Sequence, residues 1–158
     1  MNKILIVLLI ALTSCVTPPK LTTTETTLME QKILKDVNDY RASIGLNKLV
    51  YDENIATVAR QHSVDMAAKK VAFGHTGFKE RTDKLVPFEA ASENAANVST
   101  TRINPADHTV QLWLASKDPH GGASHYGNII DNYNLSGVGV AKSEDGAYYF
   151  VTEIFILR

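Results

Sequence analysis

The chain has almost no cysteine. Of 158 residues only Cys15 carries a thiol, so no disulfide can staple the fold internally and the core alone must hold it. Aromatic residues make up only 8%, with one tryptophan, Trp113, so aliphatic side chains must fill most of the interior. A surplus of either charge is also missing, since 16 lysines and arginines face 17 acidic residues. That balance argues against nucleic acid as a partner, which requires a dense basic face. There is no internal repeat.

One apolar run exists, and it lies at the N-terminus. Lys3 precedes "ILIVLLIAL", too short to span a bilayer as a mature helix and patterned like a secretory signal. It ends in "LTSC", Leu12 to Cys15, which resembles a bacterial lipobox whose cysteine becomes the lipidated N-terminus. A lone cysteine in an exported chain calls for such a role. Residues 1–14 are expected to be removed as a signal peptide, leaving 144 of the 158 residues with 15 basic against 17 acidic. Such a length suits one domain with a real core. Residues 15–27, the lipidated Cys15 and "VTPPKLTTTETT", form a Pro/Thr-rich tether. Its twelve residues after Cys15 could reach roughly 40 Å at about 3.3 Å each. The folded domain is expected over 28–158.

Within it, Ile33, Val37, Tyr40 and Ile44 recur at helical spacing, with Gly45 as a stop. Asp52 is a good N-cap for a second helix whose inward stripe is Ile55, Val58, Ala59, His62, Met66 and Ala67. A third helix starts at Asn104-Pro105 and turns Val110, Trp113 and Leu114 inward. A shorter helical turn falls at Glu80–Leu85. The chain then changes period. "LSGVGVAKS" and "AYYFVTEIFIL", joined at Asp145-Gly146, form a β-hairpin. Helices first and an antiparallel pair last predict an α+β fold. The final strand is apolar on both faces, so the sheet is covered on both sides. The expectation is a three-layer α-β-α sandwich around a mainly antiparallel sheet.

Four polar features interrupt this frame: "FGHTGF" with His75, "SENAAN" with Glu93, the helix ending "WLAS" with Ser116, and "HGGASHYGNII" with His125. Glu93 lies in an otherwise small, mostly apolar run, where a carboxylate is costly to bury without partners. It serves either a site or the locking of a loop. His62, on an apolar stripe, is expected to pack in the core and bond to backbone. His108 is expected to be solvated, and His120 to belong to a turn.

In this order, "RQHSVDMA", "FGHTGF", "SENAAN", a tryptophan helix, "SHYGNII" and "GVGVA" resemble the CAP superfamily, which joins cysteine-rich secretory proteins, antigen 5 and pathogenesis-related 1 proteins. The resemblance covers about residues 28–158 and points to the small bacterial members without disulfides. It implies a cleft lined by His75, Glu93 and His125. The family's second glutamate usually lies three residues after the helix tryptophan, where this chain has Ser116. Two neutral imidazoles and a carboxylate suffice to ligate a divalent metal such as Zn2+, with weaker binding expected for want of the fourth group. The same groups could do acid–base work, yet no serine or cysteine has an evident oriented base. The expected function is a membrane-anchored, extracytoplasmic binding module of the bacterial envelope, leaning away from enzyme, with a peptide, glycan or lipid-like ligand. The alternative is a metal-assisted hydrolase of extracellular peptide or polymer. A structural buckle made by the trio is compatible with the first reading.

Overall fold

The computed structural model describes residues 24–117 and 124–158. Cys15, the signal segment, most of the tether and His120 lie outside the described residues. Helix α1, Glu25–Ser43, takes up the last three residues of the expected tether, 25–27. The Thr24 side chain accepts the Thr27 N–H at 3.2 Å, and Glu25 lies in the first turn, favourable against the helix dipole. Ile33 and Val37 are fully buried, as their spacing requires, but Ile44 is the C-cap and remains 45% exposed. The helical period cannot continue past its own end.

Strand β1 (Val50–Tyr51) leads into α2, Glu53–Ala67, where Asp52 caps the Asn54 and Ile55 N–H groups. Ile55, Ala59, His62, Met66 and Ala67 of its expected stripe are buried, while Val58 is only partly so. The shorter helical turn expected at Glu80–Leu85 begins two residues earlier, as α3, Phe78–Thr82, continued by a 3-10 turn at Asp83–Leu85. Strand β2, Ala90–Ser99, precedes α4, Pro105–Ala115, in which Val110 and Trp113 are buried and Leu114 partly so. Within the histidine- and glycine-rich stretch, His125–Ile130 form a short helix, α5. Ser124 nucleates it by accepting the Gly127 N–H at 2.9 Å. Strands β3, Leu135–Lys142, and β4, Tyr148–Leu157, are the expected hairpin.

The sheet runs β1-β3-β4-β2, with both longer pairings antiparallel and β1 parallel to β3. Sequence periodicity misses β1, since two residues show no alternation. Side chains alternate across β3 and β4. Val138, Val140, Tyr149, Val151 and Phe155 pack toward α1, α4 and α5, whereas Ile154 and Ile156 pack toward Ile55 and Ala59 of α2. That gives the three layers. The glycines of "GVGVA" face α2, which lies directly on them: a Cβ on Gly137 would stand 2.1 Å from the Ala56 nitrogen, and one on Gly139 2.0 Å from that of Arg60. No other residue admits so close an approach. Among the described residues no helix is long and apolar enough to cross a membrane.

Candidate functional site

Strand β2 is an edge of the sheet, and the site is built around that edge. Successive side chains point to opposite faces, so Glu93 and Asn94 perform separate tasks. Asn94, fully buried, donates from Nδ2 to the His125 carbonyl at 3.1 Å. Asn128 replies from α5, donating to Asn94 Oδ1 at 2.8 Å and to the Glu93 carbonyl at 3.1 Å. These bonds fasten α5 to β2 and set His125 beside the edge.

Glu93 faces the α2 layer with its side chain 2% exposed. Burial at that depth demands compensation, and Arg81 of α3 supplies it. Its Nε donates to Oε2 at 2.7 Å and its Nη2 to Oε1 at 2.6 Å, a two-pronged pair. The turn into α3 passes through Gly77 at φ +76, a left-handed conformation suited to glycine. Arg81 also donates to the Thr76 carbonyl at 2.7 Å, so the loop and the ion pair brace each other.

His75 reaches the same carboxylate from that loop. Its Nδ1 lies 2.9 Å from Glu93 Oε1. A carboxylate only accepts here, so Nδ1 carries the proton, and in the neutral ring Nε2 remains an acceptor. His62 is the core histidine its stripe implies. Its Nε2 lies 2.9 Å from the Gly74 carbonyl, and it comes within 4.0 Å of Glu93. By holding Gly74 it positions the neighbouring His75.

The His75 and His125 rings are 6.4 Å apart between centroids. Burial, and then the neighbouring His75, lower the His125 pKa and favour its neutral imidazole. Between the two rings and the β2 edge lies a cleft of about 600 Å³, lined also by Phe78, Ala91, Ser92, Ser116, Ser124 and Asn128. All four expected residues, His75, Glu93, Ser116 and His125, border this one cleft. Ser116 caps α4, donating its hydroxyl to the Trp113 carbonyl at 2.9 Å. Trp113 is itself core, 1% exposed, with its Nε1 donating to the Ala95 carbonyl at 3.3 Å. His108, expected in solvent, is partly buried on α4.

The donor set does not fit a zinc ion held by all three groups. Both Glu93 oxygens are engaged by Arg81, and one also by His75. Among the described residues no group of three histidine, cysteine or acidic side chains is placed to hold a metal. Sequence reasoning missed Arg81, Phe78, Ser92 and Asn128. The cost of burying Glu93 signals that a cation must come near it, but nothing in the chain says which of 16 basic residues it is.

The sequence model of the cysteine-rich secretory protein family, CAP, matches residues 34–155. No curated protein matches the chain. Among solved structures, an extracellular protein containing an SCP domain from Bacillus anthracis is 27% identical, with a TM-score of 0.68 over 84% of this chain and 41% of that one. The chain thus spans about two fifths of that protein's length. An outer surface protein of Borrelia burgdorferi is 20% identical, with a TM-score of 0.67 over 85% of this chain and 96% of its own. A third structure, determined with Zn2+, is 17% identical, with a TM-score of 0.55 over 87% of this chain and 82% of its own.

Proposed function

Because this chain belongs to the CAP family of cysteine-rich secretory proteins, we propose that it is an extracytoplasmic binding module of the bacterial cell envelope, lipid-anchored through Cys15, whose ligand sits against His75, Glu93, Ser116 and His125. The observation that carries binding over catalysis is the Arg81–Glu93 pair. A carboxylate held on both oxygens by a guanidinium is a fixed anchor and a poor general base. The cleft hydroxyls point the same way. Ser116 gives its hydrogen to a backbone carbonyl and Ser124 caps α5, so neither is bonded to an imidazole among the described residues.

One observation favours the alternative, a metal-assisted hydrolase of extracellular peptide or polymer. His125 is held toward the neutral form that a base requires. Zinc held by the two imidazoles would polarise a carbonyl or water there.

The test is co-sedimentation of the detergent-solubilised protein with lipid-extracted envelope material of the producing bacterium, so that the lipid on Cys15 cannot carry it down. The wild type is expected to sediment, His75→Ala and His125→Ala to stay in solution, and no fragments to be released. Soluble fragments released by the wild type but not by His125→Ala would replace binding with hydrolysis. For the anchor, Cys15→Ala is expected to abolish incorporation of labelled palmitate and leave the protein uncleaved.

A further inference from the structure

The backbone of β2 offers the cleft groups that its side chains do not. The Glu93 carbonyl accepts from Asn128, the Ala95 carbonyl from Trp113 and the Ser99 carbonyl from the Arg102 N–H. Odd-numbered residues therefore turn their backbone groups to the free edge of the strand. Even-numbered residues turn theirs to β4, as the Thr100 N–H does to the Ala147 carbonyl. Along the cleft, this leaves the Ala91 N–H, the Ala91 carbonyl and the Glu93 N–H without a hydrogen-bond partner among the described residues. The strand is open to solvent there. Ala91 is partly exposed, and Glu93 is 6% exposed as a residue but only 2% in its side chain, so what it shows lies mostly on its backbone.

Unpaired groups along a sheet edge are what an added strand takes up. Ala91 and Glu93 stand two residues apart, about 6.8 Å, the repeat of the carbonyls along one edge of an extended peptide. An acyl chain offers these groups no hydrogen bond.

The edge is open at one end only. Beyond it the Glu93 carbonyl is taken, and the His75 and His125 rings, coming from opposite layers, stand 6.4 Å apart between centroids. Packed sheets keep about 10 Å between them, so no strand with its side chains passes between those rings. An incoming chain ends beneath them. Charge decides which end it is. A terminal carboxylate would meet the Glu93 carboxylate and His75 Nε2, which is an acceptor because Nδ1 donates to Glu93. A terminal ammonium donates to that nitrogen instead.

We infer that the cleft captures the N-terminus of an extended peptide, which adds antiparallel to the β2 edge. Its first carbonyl accepts the Glu93 N–H, its third residue exchanges both backbone bonds with Ala91, and its amine donates to His75 Nε2. This rests on the binding-module reading above and names the ligand class of that site.

The experiment is amide hydrogen exchange by NMR on the full chain in detergent micelles. The probes are pentapeptide-amide pools of random sequence, each pool with one fixed first residue, prepared with a free or an acetylated amino terminus. At least one free-amine pool should slow exchange of the Ala91 and Glu93 amides about tenfold and leave the Ser92 amide, which faces β4, unchanged. Acetylation should weaken that pool about tenfold, because a charge-assisted bond is lost. His75→Ala should remove the preference for the free amine. Ala91→Pro should weaken binding at least about fivefold, since proline lacks the N–H, and an outward-facing edge position tolerates it. Should that variant unfold, the contrast between Ala91 and Ser92 in the wild type still decides. Equal protection by acetylated pools would overturn the proposal, as would protection by none of the pools. Protection by an N-acetylglucosamine tetrasaccharide or palmitate in place of the peptides would overturn it too. In those cases, envelope binding that still depends on His75 and His125 would leave the binding module standing. If envelope binding survives both histidine variants, the module reading falls as well.

Discussion

Replacing Glu153 by glutamine should remove a pH dependence of stability that the wild type carries. Glu153 lies in β4 opposite Val138, is fully buried, and accepts the Ser136 hydroxyl on Oε1 at 2.8 Å, while Oε2 has no partner among the described residues. Burial pushes its carboxyl from an ordinary 4.5 up to about 8, against the opposing pull of Ser136 and Arg41. The native protein therefore keeps a proton that the unfolded chain has lost between those values. With fewer protons bound in the unfolded state, unfolding becomes easier as pH rises. The contribution is fully present below 4.5 and is lost as pH rises through about 8. At about 1.4 kcal/mol per pH unit, the loss is on the order of 4–5 kcal/mol, a large share of a typical domain's stability. Glutamine is isosteric and does not titrate. Urea unfolding followed by the fluorescence of Trp113, the only tryptophan, would measure both proteins at about pH 5 and about pH 8. Glu153→Gln should gain on the wild type by several kcal/mol between the two. Other titrating groups are common to both proteins and cancel in the difference. A gap that does not change with pH would mean that Glu153 is ionised at both, paired through Arg41, and that burial does not govern it.

Three further outcomes follow from the packing and the site. Trp113→Ala should cost about 3–5 kcal/mol, as a buried aromatic spanning α4 and β2 is lost; calorimetric melting checks it. Gly139→Ala should cost about 3 kcal/mol or more, because its Cβ would meet the backbone of α2, which cannot rotate away as a side chain could; expression and urea midpoint read this out. Arg81→Gln should release the Glu93 oxygens and tighten zinc binding by about tenfold in calorimetry near neutral pH. Equal zinc affinity in wild type and variant would show that Arg81 is not what withholds the carboxylate.

Local patterns determined the elements. Asp52 with Ile55, Ala59 and Met66 marks α2, Asn104-Pro105 marks the start of α4, and Asp145-Gly146 marks the hairpin turn, because caps, turns and apolar periods act between residues a few positions apart. The order of short motifs around His75, Glu93, Ser116 and His125 was equally legible, and all four border one cleft. The partners of Glu93 were not. Arg81 is 12 positions away and His75 18 positions away, and their meeting with it depends on how α3 and the Gly77 loop fold back over the sheet. Asn94 and Asn128, 34 positions apart, likewise pair only once α5 rests on β2. A one-dimensional pattern can mark a carboxylate as costly to bury, because that cost belongs to the residue alone. Which cation compensates it, and whether the carboxylate is then free to bind a metal, is a property of distances in space, and only the tertiary structure decides it.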